Sequence, residues 1–362
     1  MSGRPVPKPS GHPLRAIFVI NKVQRRWPFA LRAAICMAVP VLVGWAAGDT
    51  AAGLIATIGG FTSLYGSGRP YLNRSVYLGV VAMSFAAAVA IGDWAAVVPW
   101  LGIAAVTVIA MIAVLVCHAL AIGPPGAFMF VLACAAGTGV QAAAHLSPVH
   151  LAALVLAGGA FAWFVHMLGA LVRPRGPEKA AVVAAATAVA AYIDSIDSNP
   201  ATSPESQAQA RHRAAMMLQS AWVTLVTFQP VQPKPDRALY RLRIVSRRLH
   251  ALFAEAMQAA DTGGPPPTDG AAVARHLATV PADAIDDEHG AEGVPLGRPS
   301  GAQLVRRALT PGSPSLRLAA RVGIAVAISG AIGAALNLDH AYWAMATATL
   351  MLHQGFDWTR TL

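Results

Sequence analysis

The chain has 362 residues, 56% hydrophobic and only 12% charged, with a formal net charge of +10. An average soluble domain carries about 25% charged residues, so half the usual charge is missing. So much apolar surface excludes a disordered chain, and three cysteines are too few for a disulfide scaffold. The class that remains is a polytopic membrane protein with a polar part attached, and the placement of the basic residues decides what they do.

That placement is segregated. Residues 1–32 hold seven Lys/Arg and no acid. The 140 residues from Ala33 to Val172 contain four charges: Asp49, Arg69, Arg74 and Asp93. From Arg173 to Arg307 there are fifteen basic and thirteen acidic residues, an ordinary soluble density. A bilayer forces this sorting, because charge is excluded from its hydrocarbon core. The fold class expected is therefore all-α, a polytopic helical membrane bundle with a cytoplasmic helical region.

In chain order, residues 1–29 read as a basic cytoplasmic tail and 30–172 as a six-helix transmembrane domain. Its spans fall near 30–47, 51–66, 75–92, 97–118, 126–144 and 149–172, the second being short. The expected breaks are Gly48-Asp49-Thr50, Gly66-Ser67-Gly68-Arg69-Pro70, Gly92-Asp93, Gly123-Pro124-Pro125-Gly126 and Ser147-Pro148. Arg15, Lys22, Arg25, Arg26 and Arg32 precede the first span. Arg69 and Arg74 lie between the second and third, and Arg173, Arg175 and Lys179 follow the sixth. All the basic loops then fall on one side, which the positive-inside rule assigns to the cytoplasm. The spans are rich in Ala and Gly, as expected where helix backbones approach closely without a hydrophobic drive between them.

Residues 173–315 read as a cytoplasmic helical region with a Pro/Gly-rich linker over 261–300. Helices are expected at 177–198, 205–228 and 236–260. In the last, Leu239, Leu242, Val245, Leu249, Leu252, Phe253 and Met257 form one apolar stripe. Arg241, Arg243, Arg247 and Arg248 lie largely off it. They read as a solvated face, with contact to anionic headgroups as the alternative. Membrane character returns at 316–362, read as the first hairpin of a second transmembrane repeat. Arg321 falls on Arg32 at an offset of 289, Gly333 on Gly44, and Asn337-Leu338-Asp339-His340 on Gly48-Asp49-Thr50-Ala51. A half-completed repeat suggests a chain truncated at its C-terminal end.

These residues carry a resemblance. The first hairpin, from Ala30-Leu31-Arg32-Ala33-Ala34 through Phe61-Thr62-Ser63-Leu64-Tyr65, is followed by Arg69-Pro70-Tyr71. Together with Asp339-His340-Ala341-Tyr342-Trp343-Ala344, Gln354-Gly355-Phe356-Asp357 and Thr359-Arg360, it resembles the fusaric acid resistance family of bacterial inner-membrane proteins. The resemblance implies two membrane halves of about six helices, each followed by a cytoplasmic helical region. It also implies export of aromatic carboxylic acids, with plant malate channels as distant kin. This chain departs by holding one half and the opening hairpin of the second.

No catalytic constellation stands out, so no enzyme activity is expected. Cys36, Cys117 and Cys134 lie in different spans and read as small buried residues. No histidine pair has zinc spacing and no Walker lysine follows the Gly-rich turns, so no metal, cofactor or ATP drive is expected. Arg69, Tyr71 and Arg74 are the candidate substrate-binding set: a guanidinium holds a carboxylate and a tyrosine stacks on an aromatic ring. Plain positive-inside anchoring is the competing reading. Asp339 and His340 are the candidate proton relay, since histidine titrates near neutrality. Tyr342 and Trp343 beside them are pore-lining or interfacial aromatics. The expected function is proton-coupled export of small organic acids across the inner membrane. An oligomeric passive anion channel or a non-transporting scaffold are the alternatives. Expected partners are membrane lipid, a small organic anion, a second copy of the chain and an accessory efflux subunit, without nucleic acid.

Overall fold

In lipid, backbone polar groups must be satisfied internally and apolar side chains gain nothing by leaving their neighbours. Long Ala/Gly-rich segments therefore become helices that pack backbone to backbone. The computed structural model describes residues 27–144, 146–197, 204–227, 238–279, 300–338 and 341–358. Among these there is no strand. Among the described residues six helices are long and apolar enough to cross a membrane, four of them within the six-helix stretch expected over 30–172 and the others at Gly176–Ile196 and Pro314–Ala335. The chain is an all-α, multi-span membrane protein.

The helices are α1 (Trp27–Ala46), α2 (Thr50–Gly60, continued by a 3-10 turn Phe61–Leu64), α3 (Tyr71–Ala95), α4 (Pro99–Ala119), α5 (Phe128–Ala144) and α6 (Pro148–Val172). Then come α7 (Gly176–Asp197), α8 (Pro204–Trp222, followed by a π turn Val223–Thr227), α9 (Ala238–Thr262) and α10 (Gly270–Thr279). The last are α11 (Gly301–Ala308), α12 (Pro314–Ala335) and α13 (Ala341–Trp358). The eleven residues of α2 rise only about 16 Å, consistent with the short second span that its length suggests.

Glycine sets the closest approaches. A Cβ on Gly59 of α2 would strike the Val155 carbonyl oxygen of α6, and one on Gly158 would strike that of Ala56. Gly92 and Gly137 make the same reciprocal contact between α3 and α5, against the carbonyls of Cys134 and Val89. Gly92 and Asp93 were expected to break the third span. Instead α3 runs through them to Ala95, because Gly92 is held by this contact and Asp93 is buried.

Two cores result. The first joins α2–α6 with α12 and α13, around Leu78, Phe85, Val106, Val131, Leu151 and Val322. The second joins α7–α10 around Ala185, Tyr192, Leu218, Leu225, Val245 and Leu249. Helix α7 is apolar and long enough to span, but Val182, Val189 and Ile193 pack into the second core. The stripe expected on α9 faces the same core. Arg243 reaches back to donate from both Nε and Nη2 to the Leu225 carbonyl, at 3.0 and 2.9 Å. Within the stretch read as a linker, Gly270–Thr279 forms α10. Its Ala274 and Leu277 are buried beside α7, and Arg275 is paired with Asp194. The proline tract before it ends α9, but the apolar spacing at 270, 274 and 277 then starts a new helix.

The hairpin α12–α13 does not stand apart. Helix α12 lies along α4, where His118 Nδ1 meets the Ser315 hydroxyl at 2.8 Å, and α13 packs on α5. The end of α12 repeats the backbone hydrogen bonds of the end of α1. Asp49 N–H donates to the Gly44 carbonyl at 2.8 Å, and Leu338 N–H to that of Gly333 at 3.0 Å. Gly48 N–H donates to Trp45 at 3.1 Å, and Asn337 N–H to Ala334 at 3.2 Å. Both are Schellman endings with a left-handed residue, Gly48 at φ 79° and Asn337 at φ 50°. Every pair is separated by 289 positions, the offset read from the sequence.

Candidate functional site

Arg69, Tyr71 and Arg74 were read as one mouth, on the assumption that the third span begins near residue 75. The helix begins at Tyr71 instead, and its turn divides the three. Tyr71 and Arg74 are three residues apart and share one face. The Arg74 guanidinium carbon lies 4.9 Å from the Tyr71 ring centroid. Both turn toward α6, where a Cβ on Gly169 would strike the Tyr71 hydroxyl. Arg74 is buried, and its Nη2 donates to the Arg69 carbonyl at 2.7 Å. Gly66, at φ 75°, lets the preceding turn pass over it; a Cβ there would lie 3.2 Å from Arg74 Cγ.

Arg69 faces the other way. Its guanidinium carbon sits 3.9 Å over the Tyr77 ring, and Nη1 donates to Asn73 Oδ1 at 3.1 Å. These groups close one end of a groove of about 530 Å³ between α3 and α4. Its walls are apolar apart from Asn73, Tyr77 and Ser84, with Ile109 and Phe130 among the lining. The volume is within the range of small-molecule sites, which combine apolar walls with a few placed polar groups. Val76, Val80 and Ile112 are exposed along the groove, so it opens sideways from the bundle.

An aromatic cluster backs the groove. Tyr77 lies 6.5 Å from Tyr65, which lies 5.6 Å from Phe130; Phe130 stacks on Phe85 at 4.7 Å. The Tyr65 hydroxyl donates to the Gly126 carbonyl at 2.6 Å and so holds the ring in place. Tyr77, Asn73 and Phe130 were missed by sequence reasoning. The signal was available: positions 73, 77 and 84 are four and seven apart, a polar line on an otherwise apolar helix.

The remaining candidates lie elsewhere. Asp339 and His340 fall outside the described residues. Tyr342 packs toward Gly139 of α5, and its ring centroid is 5.7 Å from that of Trp343. Trp343 is exposed. Neither borders the α3–α4 groove. Cys36, Cys117 and Cys134 are buried free thiols, as their positions in the spans suggest.

Comparison with known proteins gives one informative match. The chain is 30% identical over 200 residues to the uncharacterized membrane protein YvaC of Bacillus subtilis (strain 168). The match covers 55% of this chain and 31% of that protein, so the chain spans about a third of its relative's length. No protein-family model and no solved structure matches.

Proposed function

We propose that this membrane protein exports small organic acids, foremost aromatic carboxylic acids, using the proton gradient of the inner membrane. The observation that carries the reading is the α3–α4 groove: apolar and aromatic along its length, with the Arg69 guanidinium and Asn73 at one end. An aromatic acid has the same polarity, a charged head on a flat apolar body. Arg69 holds the carboxylate, Tyr77 and Phe130 flank the ring, and the aliphatic walls of α3 and α4 exclude water. The excess of Lys and Arg at the Arg69 end supports its placement in the cytoplasm, so the groove fills from inside.

The test is efflux of radiolabelled benzoate from cells expressing the full chain. A charge-assisted hydrogen bond is worth about 1.5–3 kcal/mol, so Arg69→Gln is expected to lower the rate about tenfold or more, with Arg69→Lys partly active. Tyr77→Ala lowers it and Tyr77→Phe retains most of it, since stacking rather than the hydroxyl is used. Unchanged efflux in Arg69→Gln sinks the groove as the binding site. Flux that ignores a proton uncoupler removes the coupled mechanism in favour of a passive channel.

A further inference from the structure

Helix α12 buries one side and leaves the other open. Leu318, Val322 and Val326 enter the first core, where α12 lies along α4. On the other side Arg317, Arg321, Ile324, Ile328 and Ile332 follow at three- and four-residue spacing, which places them in one row. Both arginines are exposed, and the three isoleucines are each more than half exposed. The row is therefore polar in the first turns of the helix and apolar beyond them. Its polar end borders a hollow of about 390 Å³, lined by Pro314, Arg317, Leu318 and Arg321.

The chemistry of the row selects the occupant. Residues four apart on a helix have Cβ atoms about 5–6 Å apart, so both guanidiniums reach one group in the hollow. Among the described residues neither makes a hydrogen bond or an ion pair. Residues 300–338 contain no Asp or Glu, and Arg306 and Arg307 add to their positive charge. Two arginine forks suit the oxygens of a phosphate, and the isoleucines suit hydrocarbon. A soluble anion matches the first feature alone, whereas a phospholipid matches both. The missing acids leave nothing to meet the ammonium of a zwitterionic headgroup, which favours an anionic one. The equivalent helix α1 lacks this pair. Pro28 stands 289 positions before Arg317, and Arg32 Nε turns back to donate to the Pro28 carbonyl at 3.3 Å.

We propose that Arg317 and Arg321 bind the phosphate of an anionic phospholipid whose acyl chain lies along Ile324, Ile328 and Ile332. The site shares no residue with the α3–α4 groove and stands whether or not that groove carries substrate.

The experiment is native mass spectrometry of the full chain in neutral detergent, titrated with phosphatidylglycerol or with phosphatidylcholine of the same acyl chains. One phosphatidylglycerol is expected to be held more tightly than any phosphatidylcholine. Arg317→Gln and Arg321→Gln should each weaken it about fivefold, and the double variant more. Both side chains are exposed, so melting temperatures should not change. Arg32→Gln, on the equivalent helix, should leave phosphatidylglycerol retention as it is. Equal retention of the two lipids overturns the proposal, as does full retention of phosphatidylglycerol in the double variant. Displacement by inorganic phosphate at equal concentration would make this a site for a free anion and overturn the lipid. A dimer that excludes the lipid would assign the isoleucine row to a second copy of the chain, with the same consequence.

Discussion

Arg243 shows how one side chain can matter without touching a ligand. Its two donors converge on the Leu225 carbonyl, in the π turn where helical hydrogen bonding changes register. Burial holds the guanidinium below its ordinary proton affinity, but an arginine so modestly perturbed stays charged throughout the physiological range. Arg243→Met is therefore expected to cost about 1–3 kcal/mol, chiefly from the stranded carbonyl. Thermal melting of the detergent-solubilised chain should fall, and proteolysis within 204–262 should speed up. Arg247→Met, on the exposed side of the same helix, should change neither. The four arginines of α9 read alike in sequence as a solvated face. It is the position of Leu225, on another element, that engages Arg243.

At the scale of the element, helix contacts rest on glycine, and the predictions follow from backbone rather than side-chain collisions. Gly158→Ala drives a methyl into the Ala56 carbonyl, which no rotamer change relieves. Such overpacking costs about 1–3 kcal/mol and should lower the melting temperature by several degrees. Gly79→Ala, with open space at its Cβ, should be neutral or slightly stabilising through helix propensity. The hairpin turns offer a second test. Asn337 adopts φ 50° where the equivalent turn uses Gly48. Asn337→Gly is expected to be tolerated, and Asn337→Val to destabilise by about 1–3 kcal/mol, because a β-branched residue resists the left-handed region. Equal melting temperatures for both variants would show that the turn is not held in this form.

For the whole molecule, the decisive feature is the docking of α12 on α4, which merges the second hairpin with the first bundle. A Cβ on Gly323 would lie 2.6 Å from Met111 Cγ. A chain carrying Met111→Cys and Gly323→Cys, with the three native cysteines replaced by alanine, should oxidise readily to a disulfide within one chain. Mass spectrometry of proteolytic peptides reads the link, and its absence would mean that α12 packs elsewhere. The same docking explains why the two hairpins, alike in their turns, have different surroundings: α2 packs on α6, whereas α13 packs on α5.

Membrane class, the polar block, the short second span and the 289-residue offset were legible because each depends on composition or on local turn chemistry. Asp49 at a helix start and glycine at a helix end act through their immediate neighbours. The candidate site was legible only in its residue types. Moving the start of α3 from 75 to 71 puts Tyr71 and Arg74 in its first turn, and a helix turns about 100° per residue. The sequence by itself thus determined that arginines and aromatics gather at the basic end of a helical bundle. Tertiary structure decided that Arg69 heads an open groove while Arg74 is sealed against α6, because which face of α3 is covered depends on α5 and α6, helices distant along the chain.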